Sequence, residues 1–83
     1  MELYEMRYFL EVAKFENVHK ASKTLHVSPA SLSKAVARLE SELGVRLFLR
    51  QGRNIKLNEH GRLLQKRGSL IVELGGIRPF GSG

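Results

Sequence analysis

The sequence predicts a small, mostly α fold: three helices, a two-stranded β hairpin and a fourth helix. Three observations carry this. Apolar residues recur at three- and four-residue spacing through residues 2–15, 17–26 and 28–43. Good capping residues and a glycine punctuate those stretches. Between residues 47 and 57 the helical period gives way to two short apolar runs around a glycine-containing turn. The chain has 83 residues, 42% of them hydrophobic, which leaves room for one domain against the ~150 residues usual for each. So short a chain buries only about 60% of the surface its unfolded form exposes, so its core has little reserve.

Leu3, Met6, Phe9 or Leu10, and Ala13 form the apolar stripe of a first helix over residues 2–15. Asn17 suits an N-cap, and Val18, Ala21 and Leu25 define a short second helix ending near His26. Ser28 followed by Pro29 starts a third, because the serine oxygen accepts a first-turn N–H and proline fits the first helical position. Its buried side is Leu32, Val36, Leu39 and Leu43, and Gly44 supplies the left-handed residue that ends it. Residues 47–50 and 55–57 are β-compatible and are joined by Gln51, Gly52, Arg53 and Asn54. Asn58 caps a last helix carrying Leu63, Leu64, Leu70, Ile71 and Leu74, in which Gly61 and Gly68 each cost up to ~1 kcal/mol relative to alanine. Helix, short helix, tight turn, helix, hairpin is the order of a winged helix-turn-helix. The expected division is therefore residues 1–58 for that domain, 59–74 for a linker and dimerisation helix, and 75–83 for a disordered Gly-rich tail.

Charge narrows the function. The chain holds 14 Lys+Arg against 8 Asp+Glu, a formal +6, which points to a polyanionic partner. Residues 17–39 hold Lys20, Lys23, Lys34 and Arg38 with no acid, and a second basic block sets Arg46, Arg50, Arg53, Lys56, Arg62, Lys66 and Arg67 against Glu59 alone. Every acid is a glutamate, so paired Asp catalysis and Asp-rich calcium loops lack their material. There is no cysteine, and His19, His26 and His60 lack metal-ligand spacing, so neither a metal nor another cofactor is expected. Without Asp or a nucleophile-elbow motif, no hydrolase is expected from the serines and histidines. No apolar run reaches the ~18 residues of a membrane span, and a cytoplasmic, non-enzymatic binding protein is expected.

At 100° per residue, the side of helix three opposite Leu32, Val36, Leu39 and Leu43 holds Ala30, Lys34, Ala37, Arg38 and Ser41. Small residues between cations let a helix approach base edges closely, with Lys34 or Arg38 donating to guanine and Ser31 or Ser33 to a base or phosphate. Any amphipathic helix has a solvated polar face, but the surrounding charge pattern favours DNA. Lys20 sits at a helix N-terminus without an acid to balance the macrodipole, which suits a phosphate there. Arg53 at the hairpin tip suits a minor groove or the backbone.

The segment VSPASLSKAVARLESELGVRLFLRQGRNIKLNEHG resembles the DNA-binding domain of LysR-type transcriptional regulators. The resemblance extends back through LYEMRYFLEVAKFENVHKASKTLHVS to cover residues 3–74, with Leu39-Glu40, Leu43-Gly44, Leu47-Phe48, Arg50 and Gly61 as its specific features. It implies a winged helix-turn-helix and a long linker helix that pairs with its twin, giving a homodimer that reads an interrupted inverted repeat in promoter double-stranded DNA. Carried over by position, Ser33 and Lys34 are implied as groove-facing residues and Arg53 as the wing-tip cation. The family usually has glutamine then proline after the serine, whereas here Pro29 and Ala30 follow Ser28 and Ser31 replaces a common alanine, so a base-reading amide is missing. His19 and Lys20 stand where threonine and a basic residue are frequent, and Asn58 replaces a threonine cap. The family's effector-sensing domain is not in this chain, so no small-molecule ligand is expected on it, and the glycine-rich tail favours an excised half.

The expected DNA contacts are Lys20, Ser28, Pro29, Ala30, Ser31, Ser33, Lys34, Arg38 and Arg53, with dimerisation through Leu63, Leu64, Leu70, Ile71 and Leu74. The competing class is a winged-helix protein-interaction module without a specific DNA target, which a salt-independent association would reveal.

Overall fold

Local capping sets the start of each helix and the end of α1, α2 and α3 in this computed structural model, which describes the backbone of residues 1–73 and the side chains of residues 1–70. The elements are α1 (Leu3–Phe15), α2 (Val18–Leu25), α3 (Pro29–Leu43), β1 (Phe48–Gln51), β2 (Asn54–Leu57) and α4 (Glu59–Glu73). The Asn17 side chain accepts from the Lys20 amide at 2.9 Å, and Ser28 Oγ accepts from the Ser31 amide at 3.1 Å. Asn58 Oδ1 accepts from the Gly61 amide at 2.8 Å. Each satisfies a first-turn N–H that has no partner within its helix. Gly44 ends α3 at φ +73, and its N–H closes onto the Glu40 carbonyl at 2.8 Å.

α1 is the central element, packing against α2, α3 and α4. Met6, Phe9 and Ala13 meet Leu39, Leu47 and Leu57 in one core cluster, while Val12 meets Ala21, Leu32 and Val36 in a second. Phe48 touches both, its ring tilted against Phe9 at 5.6 Å between centroids. The Leu3 stripe expected from spacing is corrected: Leu3 is 59% exposed and Glu5 takes the inward position, with no exposed surface. The reason is angular. Leu3 lies about 120° round the helix from the fully buried Phe9, whereas Glu5 lies about 40° from it. Leu43 is on the correct side of α3 but at its last turn, beyond the packed part, and is 37% exposed.

The hairpin pairs Phe48 with Leu57, Leu49 with Lys56, Arg50 with Ile55 and Gln51 with Asn54 in antiparallel register. Its loop is the two residues Gly52 and Arg53, and Gly52 at φ +63 takes the positive φ that so tight a reversal needs. Leu47, expected in the first strand, lies outside it as a buried core residue whose N–H donates to Glu40 Oε2 at 2.7 Å and whose carbonyl accepts from Asn58 N at 3.0 Å. The Leu57 N–H donates to Glu16 Oε2 at 2.8 Å. These bonds fix the base of the hairpin to α1, α3 and the start of α4. Gly61 and Gly68, expected as weak points, instead mark where α4 comes close. A Cβ at Gly61 would overlap the Leu47 carbonyl, and one at Gly68 would sit 3.1 Å from Met6 Sδ.

Leu63 and Leu70 are exposed, at 52% and 55%, whereas Leu64 packs partly against its own core. The side chain of Ile71, Leu74 and the 75–83 tail lie outside the described residues. Among the described residues no helix is long and apolar enough to cross a membrane.

Candidate nucleic-acid interface

The start of α3 is built by two serines. Ser28 Oγ accepts from the Ser31 amide and donates to Ser31 Oγ at 2.9 Å, with Pro29 in the first helical turn. The following turns expose Ala30, Ser31, Ser33, Lys34, Ala37, Arg38 and Ser41, the small, basic face that the helical geometry predicted. Leu32, Ala35, Val36 and Leu39 are buried behind it. α2 lies against α3 and presents Lys20 and Lys23 to solvent. At the α2 N-terminus, where Lys20 suits a phosphate, the Lys20 amide is already taken by Asn17, so the group left free there is the lysine ammonium.

Arg53 is exposed at the tip of the hairpin. Between the hairpin and α3 runs a cleft of about 380 Å³, with Val36 and Phe48 among its lining residues along with Ser33, Ala37, Leu49 and Arg50. Arg46 also lines it. Its guanidinium lies 3.9 Å from Glu40, but the side chain is 81% exposed, so the pairing is weak. Reasoning from sequence counted Arg46 and Arg50 among the basic residues without placing them in a site. Their position depends on the hairpin folding back toward α3, which no local signal reports.

Arg38 differs from the other cations of this face. Its Nε lies 3.9 Å from Glu5 Oε2 and its Nη1 3.5 Å from the Tyr4 hydroxyl. Glu5 is fully buried, and its Oε2 has no hydrogen-bond partner, while Oε1 accepts from the Glu2 amide at 3.1 Å. A buried carboxylate in that position favours keeping the guanidinium close. Lys20, Lys23, Lys34, Arg50 and Arg53 form no ion pair among the described residues.

The acids explain why so many cations stay free. Glu11 accepts from the Thr24 hydroxyl at 2.6 Å, Glu16 from the Leu57 amide and Glu40 from the Leu47 amide. Glu42 bonds the Met1 ammonium at 3.0 Å; that bond holds the carboxyl below its usual range and raises the amine. These glutamates are thus engaged by intramolecular donors rather than by the lysines and arginines of α2, the α3 face and the hairpin, Arg38 and Arg46 excepted. Among the described residues no group of His, Cys, Asp or Glu could hold a metal ion.

Residues 3–62 match the family described as bacterial regulatory helix-turn-helix protein, lysR family. The chain is 45% identical over 67 residues to the uncharacterized HTH-type transcriptional regulator YybE of Bacillus subtilis, covering 81% of this chain and 23% of that protein. It is 52% identical over 62 residues to the transcriptional dual regulator GltC of the same organism, covering 75% of this chain and 21% of that one. The chain thus spans about a quarter or less of the length of these curated relatives. Among solved structures, the CbnR DBD in complex with DNA superposes with a TM-score of 0.85 at 37% identity, covering 92% of this chain and 87% of that one. The BenM DBD in complex with catB site 1 DNA gives 0.86 at 29% identity, covering 92% and 84%.

Proposed function

The chain belongs to the lysR family of bacterial regulatory helix-turn-helix proteins, and we propose that it is the sequence-specific, double-stranded DNA-binding part of a cytoplasmic transcription regulator. It is not an enzyme. The observation that carries this reading is the exposed face of α3, where Ser31, Ser33 and Lys34 stand among alanines small enough to let the helix approach base edges. Residues 1–58 form the reading domain, with α3 in the major groove and Arg53 at the minor groove or backbone. Ser28, Pro29 and Ala30 bring the start of α3 to the DNA. Lys20, with Arg46 and Arg50 in the cleft beside α3, supplies phosphate contacts, which fix register without reading sequence. Arg38, a turn beyond Lys34, faces phosphate more readily than a base.

The test is a titration of duplex DNA against salt. Log affinity is expected to fall linearly with log salt at about 0.9 per neutralised phosphate. A flat response would sink the DNA reading in favour of a protein-interaction module.

Residues 59–74 act as the dimerisation helix. The exposed Leu63 and Leu70 support this, since two large apolar side chains on one helix gain from a symmetry mate that covers both. A two-fold dimer would match an inverted repeat in promoter DNA. Sedimentation is expected to show a concentration-dependent dimer that Leu63→Glu with Leu70→Glu abolishes without loss of helix content. A strict monomer of the parent at millimolar concentration would contradict it.

A further inference from the structure

Resting on the DNA-binding reading above, we propose that α3 selects guanine, through Lys34 with Ser31, because its reading face offers an ammonium, hydroxyls and methyl groups but no amide or free carboxylate to pair with adenine or cytosine. In the major groove guanine shows two acceptors, N7 and O6; adenine shows an acceptor beside the N6 donor, and cytosine shows the N4 donor. Recognising adenine or cytosine by paired bonds therefore needs an amide or a carboxylate on the reader. The helix, PASLSKAVARLESEL, contains neither Asn nor Gln. Its acids, Glu40 and Glu42, sit toward its far end and are occupied, one by the Leu47 amide and the other by the Met1 ammonium.

A hydroxyl can accept as well as donate, but alone it does not form the paired donor and acceptor contact that adenine requires, and Ser28 and Ser31 are partly engaged with each other. Ser28 accepts from the Ser31 amide and donates to Ser31 Oγ. With Ser28 Oγ donating to it, the Ser31 hydroxyl directs its own proton outward. Ser33 lines the cleft toward Arg50 and the hairpin, the side on which a phosphate strand would pass. Arg38, the only other cation on the face, is drawn back by the buried Glu5 and by Tyr4. Lys34 is left as the free ammonium, one helical turn from Ser31 on the same side, with the Ala30 methyl beside them. An ammonium and a hydroxyl proton so placed match N7 and O6 of one guanine.

The experiment selects binding sites for the 83-residue chain from a random duplex pool and then varies the strongest position. Guanine is expected there, and exchanging it for a deaza-guanine that lacks N7 should weaken binding about tenfold. Lys34→Ala should flatten preference at that position alone. Lys34→Gln, which supplies donor and acceptor together, should move it toward adenine. Arg38→Ala should lower affinity for every sequence by a common factor. Adenine or cytosine at the position that Lys34→Ala flattens, undiminished binding to the deaza-guanine duplex, or loss of the guanine preference in Arg38→Ala would each overturn the proposal while leaving DNA binding intact. Failure to enrich any sequence, with a flat salt response, would overturn the DNA reading and this one with it. Because Lys34 is exposed, circular dichroism should show its variants folded.

Discussion

Leu39→Ala is expected to cost about 2–5 kcal/mol of folding stability, a large part of the roughly 4–12 kcal/mol that a domain of this length holds. Leu39 has no exposed surface and packs among Met6, Phe9, Leu47 and Leu57, so the lost side chain leaves a cavity where α1, α3 and the base of the hairpin meet. No nearby side chain can fill it without leaving its own contacts. The residue is also on α3, with its back to the reading face. The variant should therefore bind DNA poorly without having lost a DNA contact. The two causes separate by mass action, since saturating duplex at 100 times Kd adds about 2.7 kcal/mol to the folded state. Helix content of Leu39→Ala measured by circular dichroism should recover on adding such an excess. If the variant is fully helical without DNA yet fails to bind, the core assignment is wrong.

Gly61→Ala is expected to cost about 2 kcal/mol net, although alanine is the better helix former by ~1 kcal/mol. The added Cβ would overlap the Leu47 carbonyl oxygen and lie 2.7 Å from Leu57 Cδ2. That carbonyl is held in place by the Asn58 amide, and the Leu47 amide by Glu40, so the backbone can yield only by breaking bonds. Gly68→Ala is the control. Its Cβ would meet Met6 Sδ at 3.1 Å and Leu10 Cδ2 at 3.2 Å, both ends of flexible side chains that can turn aside, and its stability should stay within about 1 kcal/mol of the parent. Urea unfolding midpoints compare the two directly. Equal shifts for both glycines would refute the close approach at Gly61.

The difference between these glycines marks the boundary of what the sequence made legible. Signals that act within one turn, Asn17, Ser28 with Pro29, Gly44 and Asn58, predicted the helix ends where the structure has them, because capping is a local matter of one side chain and one N–H. The exposed face of α3 followed from the 3.6-residue repeat alone. What escaped depends on elements distant in sequence. Glu5 lies on the inward arc of α1, centred on Phe9, and is fully covered only once α3 packs against that arc, which also brings Arg38 within 3.9 Å, while Leu3 falls outside the arc and is exposed. Arg46 and Arg50 join the cleft only once the hairpin stands beside α3. Gly61 reads as a propensity defect until Leu47 is seen against it.

The engagement of the glutamates by intramolecular donors also bears on how quickly the domain finds its target. Glu11, Glu16, Glu40 and Glu42 are each held by an intramolecular donor, while Lys20, Lys34, Arg50 and Arg53 project into solvent without a counter-charge among the described residues. Such an arrangement gives the molecule a directional field, positive on the side that carries α3 and the hairpin tip. A polyanion approaching from any direction is turned toward that side before contact. Encounter is then faster than the roughly 10⁵–10⁷ per molar per second set by random orientation, and the gain fades as the Debye length shrinks from about 30 Å at 0.01 M salt to about 8 Å at physiological strength.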